Sequence, residues 1–234
     1  MSKVQSLNKE THKHLKVIEK YGYDYEASYM SSITFPSEIR QVQAYYPVFF
    51  QKDPSSGRFI PVALYGFEQG ENLFQTNDGW LTPYVPISVQ RSPFSISRSD
   101  NNLYVSIDVE HKKVSKDEGV SLFTEAGIYS PYLKKVTSML EALHHGMEEN
   151  EDFINLLMKF NLIESLTLDI VLDNGTKNQL IGFFTINEES LSGLSDENYC
   201  ELRRSGYLET IYMMIASQSQ IARLLALKNS QQRI

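Results

Sequence analysis

Two apolar, β-branched runs face each other across a turn: Leu166-Thr167-Leu168-Asp169-Ile170-Val171-Leu172, then Asp173-Asn174-Gly175, then Leu180-Ile181-Gly182-Phe183-Phe184-Thr185-Ile186. Strand formers on both sides of an Asn-Gly step predict a β-hairpin, with φ > 0 favoured at both central turn positions. This pair commits part of the chain to an antiparallel sheet. The signal recurs upstream, where Pro47-Val48-Phe49-Phe50-Gln51 and Phe59-Ile60-Pro61-Val62-Ala63-Leu64-Tyr65-Gly66-Phe67 flank Asp53-Pro54-Ser55-Ser56-Gly57. That intervening segment is built of turn formers. Leu103-Tyr104-Val105-Ser106-Ile107-Asp108-Val109 alternates apolar and polar residues with period two, the mark of a half-buried strand.

The rest reads as helices with recognisable ends. Pro36 opens a helix to residue 45 that Pro47 stops, and residues 85–91 form a short helix ended by Pro93. Ser130-Pro131 supplies a cap and a first-turn proline, and Leu133, Val136, Met139, Leu140 and Leu143 follow at helical spacing. That helix is expected to end at His145 or Gly146, with a second segment over 152–160. Ser195 caps a helix through Arg204, Gly206 ends it, and Leu208, Ile211, Tyr212, Ile215, Ala222 and Leu225 stripe a final helix to about residue 227. The fold class is therefore α+β: antiparallel hairpins and sheets with several packed helices, the last third mainly helical. Residues 1–230 read as one domain, open to division into a strand-rich lobe (1–128) and a lobe of helix plus hairpin (129–230). Residues 231–234 are expected to fray.

Charge and composition exclude several functions. A net charge of −7 repels nucleic acid, and the basic pairs Lys112-Lys113 and Arg203-Arg204 are too short to make a binding track. The purely apolar run 211–216 falls far below the roughly 18 residues needed to span a bilayer, so no transmembrane segment is expected. Residues 1–15 lack the apolar core of a secretory signal. The single Cys200 fits a reducing compartment, and the expected location is cytoplasmic.

Several strings together resemble the SapC family of bacterial proteins. They include His12-Lys13-His14-Leu15-Lys16-Val17, Tyr46-Pro47-Val48-Phe49, Gly70-Glu71-Asn72-Leu73-Phe74, Asp78-Gly79-Trp80, Tyr84-Val85-Pro86, Arg91-Ser92-Pro93-Phe94 and Leu202-Arg203-Arg204-Ser205-Gly206. The likeness covers nearly the whole chain in the same order, with a departure at Glu26-Ala27-Ser28-Tyr29, where the family favours a more apolar string. The resemblance implies no established catalytic residues. It does imply two roles to weigh: an enzyme or accessory subunit working beside a halogenase-like or cupin-like oxidoreductase, and a self-associating surface-layer component.

No catalytic motif is complete. The serines lack a GxSxG elbow, Cys200 lacks a CxxC partner, and Gly66 and Gly70 are too sparse to cradle phosphate. No cofactor is expected. A metal-dependent alternative would draw on His12, His14 or His111, which lack ligand spacing. The leading expectation is a non-catalytic binding or accessory protein that engages a small ligand, a peptide or a partner protein through the aromatic-rich stretch 45–94. Its candidate ligand-binding residues are Tyr46, Glu71, Asn72, Trp80, Tyr84 and Arg91, because aromatic surface with a few fixed polar groups suits a pocket. The same rings also suit a core. The stripe on 208–225 carries Met213 and Met214, and a helix apolar on both faces would imply a homodimer.

Overall fold

The computed structural model describes residues 3–99 and 102–231. Along the chain run β1 (Val4–Ser6), α1 (Lys9–His12), β2 (Lys16–Val17), β3 (Ser31–Ile33), α2 (Pro36–Val42), β4 (Val48–Lys52) and β5 (Phe59–Leu64). There follow α3 (Ile87–Gln90), β6 (Phe94–Ser99), β7 (Asn102–Asp108), β8 (Val114–Ser115), β9 (Val120–Ser121) and α4 (Pro131–Lys159). The chain closes with β10 (Ile163–Val171), β11 (Lys177–Ile186), α5 (Glu188–Ser192), α6 (Asp196–Ser205), α7 (Tyr207–Ser217) and α8 (Gln220–Gln231). Of the tail expected to fray, residues 232–234 lie outside the described residues, and Gln231 closes α8. The class is mixed α+β with three antiparallel sheets and a mainly helical C-terminal region.

Two compact units divide the chain, each built from two segments: Met1–Ala27 with Gln75–His144, and Ser28–Phe74 with His145–Ile234. The first unit holds the sheets β1-β7-β6 and β8-β2-β9. Its core gathers Leu15, Val17, Phe94, Ile107, Leu122 and Phe123 around Leu133, Val136 and Leu140, the helical stripe read from the sequence. In β7 the period-two pattern turns Val105 and Ile107 to this core and leaves Tyr104 exposed.

The second unit is organised by one five-stranded antiparallel sheet, ordered β10-β11-β4-β5-β3. Both hairpins expected from the sequence are present in it. The 173–175 turn differs from the expected form, since Gly175 has φ 83° and neither Asp173 nor Asn174 has positive φ. Leu172 C=O accepts the Gly175 N–H at 2.9 Å and Leu172 N–H donates to Thr176 C=O at 2.9 Å. This is a type I turn closed by a left-handed glycine, the three-residue hairpin solution, and it needs positive φ at one position instead of two.

Helix α4 runs through Gly146 without a break. A Cβ there would come within 2.8 Å of Phe35 Cδ1 and closer to Cγ and Cδ2, so the glycine lets the helix backbone meet the buried Phe35 ring. The final helix is interrupted instead, at Gln218-Ser219. Ser217 Oγ donates to Met214 C=O at 2.6 Å and Ser219 Oγ to Ala216 C=O at 2.9 Å, side-chain bonds that compete with the helical ladder. Ser217 is buried, and its Oγ also accepts the Val48 N–H at 2.9 Å, fixing the start of β4.

Pro61 decides where the β3–β5 ladder stops. Thr34 N–H donates to Pro61 C=O at 3.0 Å, but proline has no N–H to return the bond to the Thr34 carbonyl. Asn150 of α4 supplies the missing donor, with Nδ2 placed 3.1 Å from Thr34 O. Past Thr34 the chain leaves the sheet into α2, whose first residue is Pro36.

Candidate functional site

The space next to that interruption is a groove of about 510 Å³ in the second unit. One wall is the β4–β5 hairpin, including Lys52, Phe59 and Ile60. The other is one stripe of α4, made of Met147, Asn150, Glu151, Ile154, Asn155 and Met158. Their steps of three and four residues put all six on a single helix face about 16 Å long, from the helical rise of 1.5 Å per residue.

The hairpin tip is rigid for local reasons. Asp53 accepts backbone N–H groups from Ser55 at 2.7 Å and Ser56 at 2.8 Å, and its own N–H bonds Arg58 C=O at 2.8 Å. The Ser55 hydroxyl and these amides hold the Asp53 carboxyl down to about 2. Arg58 reaches across to Glu151 of α4 at 2.7 Å, an exposed pair worth little energy but closing one flank of the groove. Lys52 lies 5.1 Å over the Phe59 ring and 5.3 Å over Phe184. Asp53 and Glu151 thus balance Lys52 and Arg58, leaving a neutral rim.

Asn150 is the unusual member. It is 4% exposed, and with Nδ2 committed to Thr34 its Oδ1 has no hydrogen-bond partner among the described residues. Met147 Sδ sits 3.9 Å from Nδ2, a flexible thioether placed over the amide. A buried acceptor left unsatisfied costs about 1–3 kcal/mol.

The six candidate residues from the sequence are divided between the units, and none of them lines this groove. In the second unit Tyr46 is fully buried, its ring 4.8 Å from Phe74 and 5.3 Å from Tyr65 in edge-to-face packing. Much of the aromatic stretch is thus core. Glu71 accepts the Phe67 N–H at 2.8 Å and pairs with Lys228 of α8, which also reaches Glu68 at 3.0 Å. Burial opposes the charge on Lys228, but the bonds to Glu71 and Glu68 outweigh it and raise its pKa. Asn72 is buried and caps its own turn through Phe74 N–H at 3.1 Å.

In the first unit Trp80 forms a β-bridge with Gln75. Tyr84 C=O accepts the Thr82 hydroxyl at 3.0 Å, and Arg91 donates to Phe94 C=O at 2.8 Å.

The first unit also brings together a serine, a histidine and a carboxylate that are far apart in sequence. His111 Nε2 lies 2.9 Å from Ser92 Oγ and 3.9 Å from Glu26 Oε2. Two details separate this group from a nucleophilic triad. Nδ1 accepts the Lys113 backbone N–H at 3.2 Å, so the neutral ring carries its proton on Nε2 and donates to Ser92 instead of taking its proton. Glu26 approaches the same nitrogen instead of orienting the far side of the ring, and it is ion-paired with the buried Lys113. Ser92 therefore has no general base here.

Burial lowers the pKa of Lys113 against the pull of Glu26, and burial likewise lowers His111. Tyr21, whose ring lies 4.1 Å from Lys113 Nζ, is pushed up to about 12 by burial and by Glu19 and Glu26. This is the chemistry of a buried structural ion pair.

Of the histidines considered for metal, His12 is buried, with Nδ1 accepting the Asn8 N–H at 3.1 Å and Nε2 3.0 Å from Gln5 Oε1. His14 is exposed. Among the described residues no three His, Cys, Asp or Glu side chains form a group that could hold a metal ion. Among them, too, no helix is long and apolar enough to cross a membrane.

The groove itself was missed from the sequence. The available signals were Pro61 inside a strand pattern and Asn150 within a helical stretch, neither of which locates a cavity alone. In comparison with known proteins, the family model described as SapC matches residues 7–224. No curated protein and no solved structure matches the chain.

Proposed function

The chain belongs to the SapC family, and from that premise we propose that it is a non-catalytic binding protein, holding an apolar group with one hydrogen-bond donor in the groove between the β4–β5 hairpin and α4. The observation that carries this reading is Asn150, which lines the groove and whose buried Oδ1 has no partner among the described residues. The volume of about 510 Å³ falls in the range of small-ligand sites. Phe59, Ile154 and the two methionines supply apolar lining, and the neutral rim favours an uncharged guest. The hairpin wall lies within the aromatic-rich stretch 45–94. The Ser92–His111 geometry, which offers no base, supports a binding role over hydrolysis.

The test uses 2-naphthol, an apolar bicycle with one O–H donor, against 2-methoxynaphthalene, which lacks it. In a heteronuclear NMR titration, 2-naphthol is expected to give saturable shifts at Ile60, Met147, Ile154 and Met158. The methyl ether should bind about tenfold more weakly, the worth of one buried hydrogen bond. Met158 is half exposed, so Met158→Arg should fill the groove and abolish the shifts without unfolding the chain. Equal binding of the two probes would remove Asn150 from the site, and absence of saturable shifts at these residues would overturn the reading.

A further inference from the structure

We infer that the groove takes an extended peptide segment, added as a short antiparallel strand to the edge of β5 in the lane that β3 vacates at Thr34. The inference rests on the groove being a binding site and names its class of occupant.

Backbone direction alternates along a strand, and in β5 the alternation is fixed by observed bonds. Tyr65 N–H donates to Met30 C=O at 2.7 Å, and Pro61 C=O accepts Thr34 N–H at 3.0 Å, so odd-numbered residues face the β3 side. Even-numbered residues face β4, as Leu64 N–H to Pro47 C=O at 2.9 Å and Asp53 N–H to Arg58 C=O at 2.8 Å show. Phe59, the next odd residue, therefore points its N–H and C=O into the lane beyond Thr34. Register pairs β3 with residues 62–64 of β5 only, and Pro36 then carries the chain into α2. Phe59 is thus an edge position with a backbone donor and acceptor, in a strand whose other side is fully paired to β4.

The groove adjoins that lane, because Phe59 and Ile60 line it from the hairpin and Asn150, which marks the end of the β3 ladder, lines it from α4. A guest residue opposite Phe59 would exchange two backbone bonds with it. Asn150 lines the same groove, and its Oδ1 is a buried acceptor with no partner among the described residues. Guest side chains alternate, so one set would pack on Ile154 and Met158 while the other faced out. With Arg58 paired to Glu151 and Asp53 committed to its turn, the guest should be uncharged and rich in β-branched residues. This is peptide recognition by strand addition, in which main-chain bonds give affinity and alternate side chains give selectivity.

The experiment titrates the full ¹⁵N-labelled chain with acetyl-Thr-Val-Thr-Val-Thr-amide and with versions N-methylated at each residue in turn. The expected result is a saturable shift of the Phe59 amide, with methylation at alternate guest positions weakening binding about tenfold or more and methylation between them changing it less than about twofold. Binding that ignores the position of methylation would overturn strand addition and leave the groove reading intact. Failure of the peptide where 2-naphthol binds would do the same. If neither probe shifts the groove, both readings fall. A Phe59 shift that grows with protein concentration and no added peptide would replace the external segment by a second copy of the chain, which also overturns the inference as stated.

Discussion

Replacing Gly146 by alanine gives a test whose sign depends on the packing described above. In an exposed helix interior, Gly→Ala stabilises by about 1 kcal/mol, because alanine loses less backbone entropy. In α4 the new methyl would press on Phe35 Cγ, Cδ1 and Cδ2. The ring has little room to retreat, since Phe35 is 3% exposed and its carbonyl accepts from Glu38 at 2.8 Å and Ile39 at 3.2 Å as the cap of α2. Overpacking of this kind costs about 1–3 kcal/mol. The net expectation for Gly146→Ala is a destabilisation of up to about 2 kcal/mol, which lowers a urea midpoint by up to roughly 1 M at an m-value of about 2–3 kcal/mol/M. Urea titration followed by far-UV circular dichroism measures it. The same substitution in a Phe35→Leu background should be neutral or stabilising, because the ring atoms it strikes are gone. A midpoint that rises in the parent chain, or falls equally in both backgrounds, would show that Gly146 is not held by Phe35.

Two further outcomes follow from particular side chains. Ser217→Ala leaves the buried Val48 N–H without its acceptor and should cost about 1–3 kcal/mol in the same urea assay, while Ser219→Ala at the exposed neighbour should stay within about 0.5 kcal/mol. For His111, burial sets the folded pKa below its ordinary 6.5, against the pull of Glu26 and Asp108 and with that of Lys113 and Lys112. The unfolded chain then takes up the proton first, so stability should fall as pH drops below about 6.5 and level off once the folded ring titrates. The loss in urea midpoint between pH 7 and pH 5 should be smaller in His111→Gln, and an unchanged loss would assign the acid sensitivity to other groups.

What could be read from the sequence was what neighbours along the chain decide. Both long hairpins follow from local turn chemistry, and Ser195 and Gly206 do cap and end α6. Even the 173–175 turn was legible in its residues, because a left-handed glycine serves both the two-residue and the three-residue loop; only the count of positive φ angles differs. The departures arise where a distant group overrides the local preference. Gly146 reads as a stop by propensity, yet it continues the helix because Phe35, more than a hundred positions away, needs its missing Cβ. The apolar stripe resumes in helical phase at Ala222, but serine hydroxyls bond the carbonyls of Met214 and Ala216 where the helix divides.

The groove is the extreme case, since it originates in an atom that is absent. Pro61 cannot donate to Thr34, Asn150 donates in its place, and its amide oxygen is left without a partner among the described residues. Sequence patterns record which groups are present, and a buried acceptor becomes surplus only when three separate segments have met. Aromatic density pointed to residues 45–94, but the rings largely satisfy one another there. The more telling features of the stretch are the proline within its second strand, where the β3 ladder ends, and the two residues before it, which line the groove.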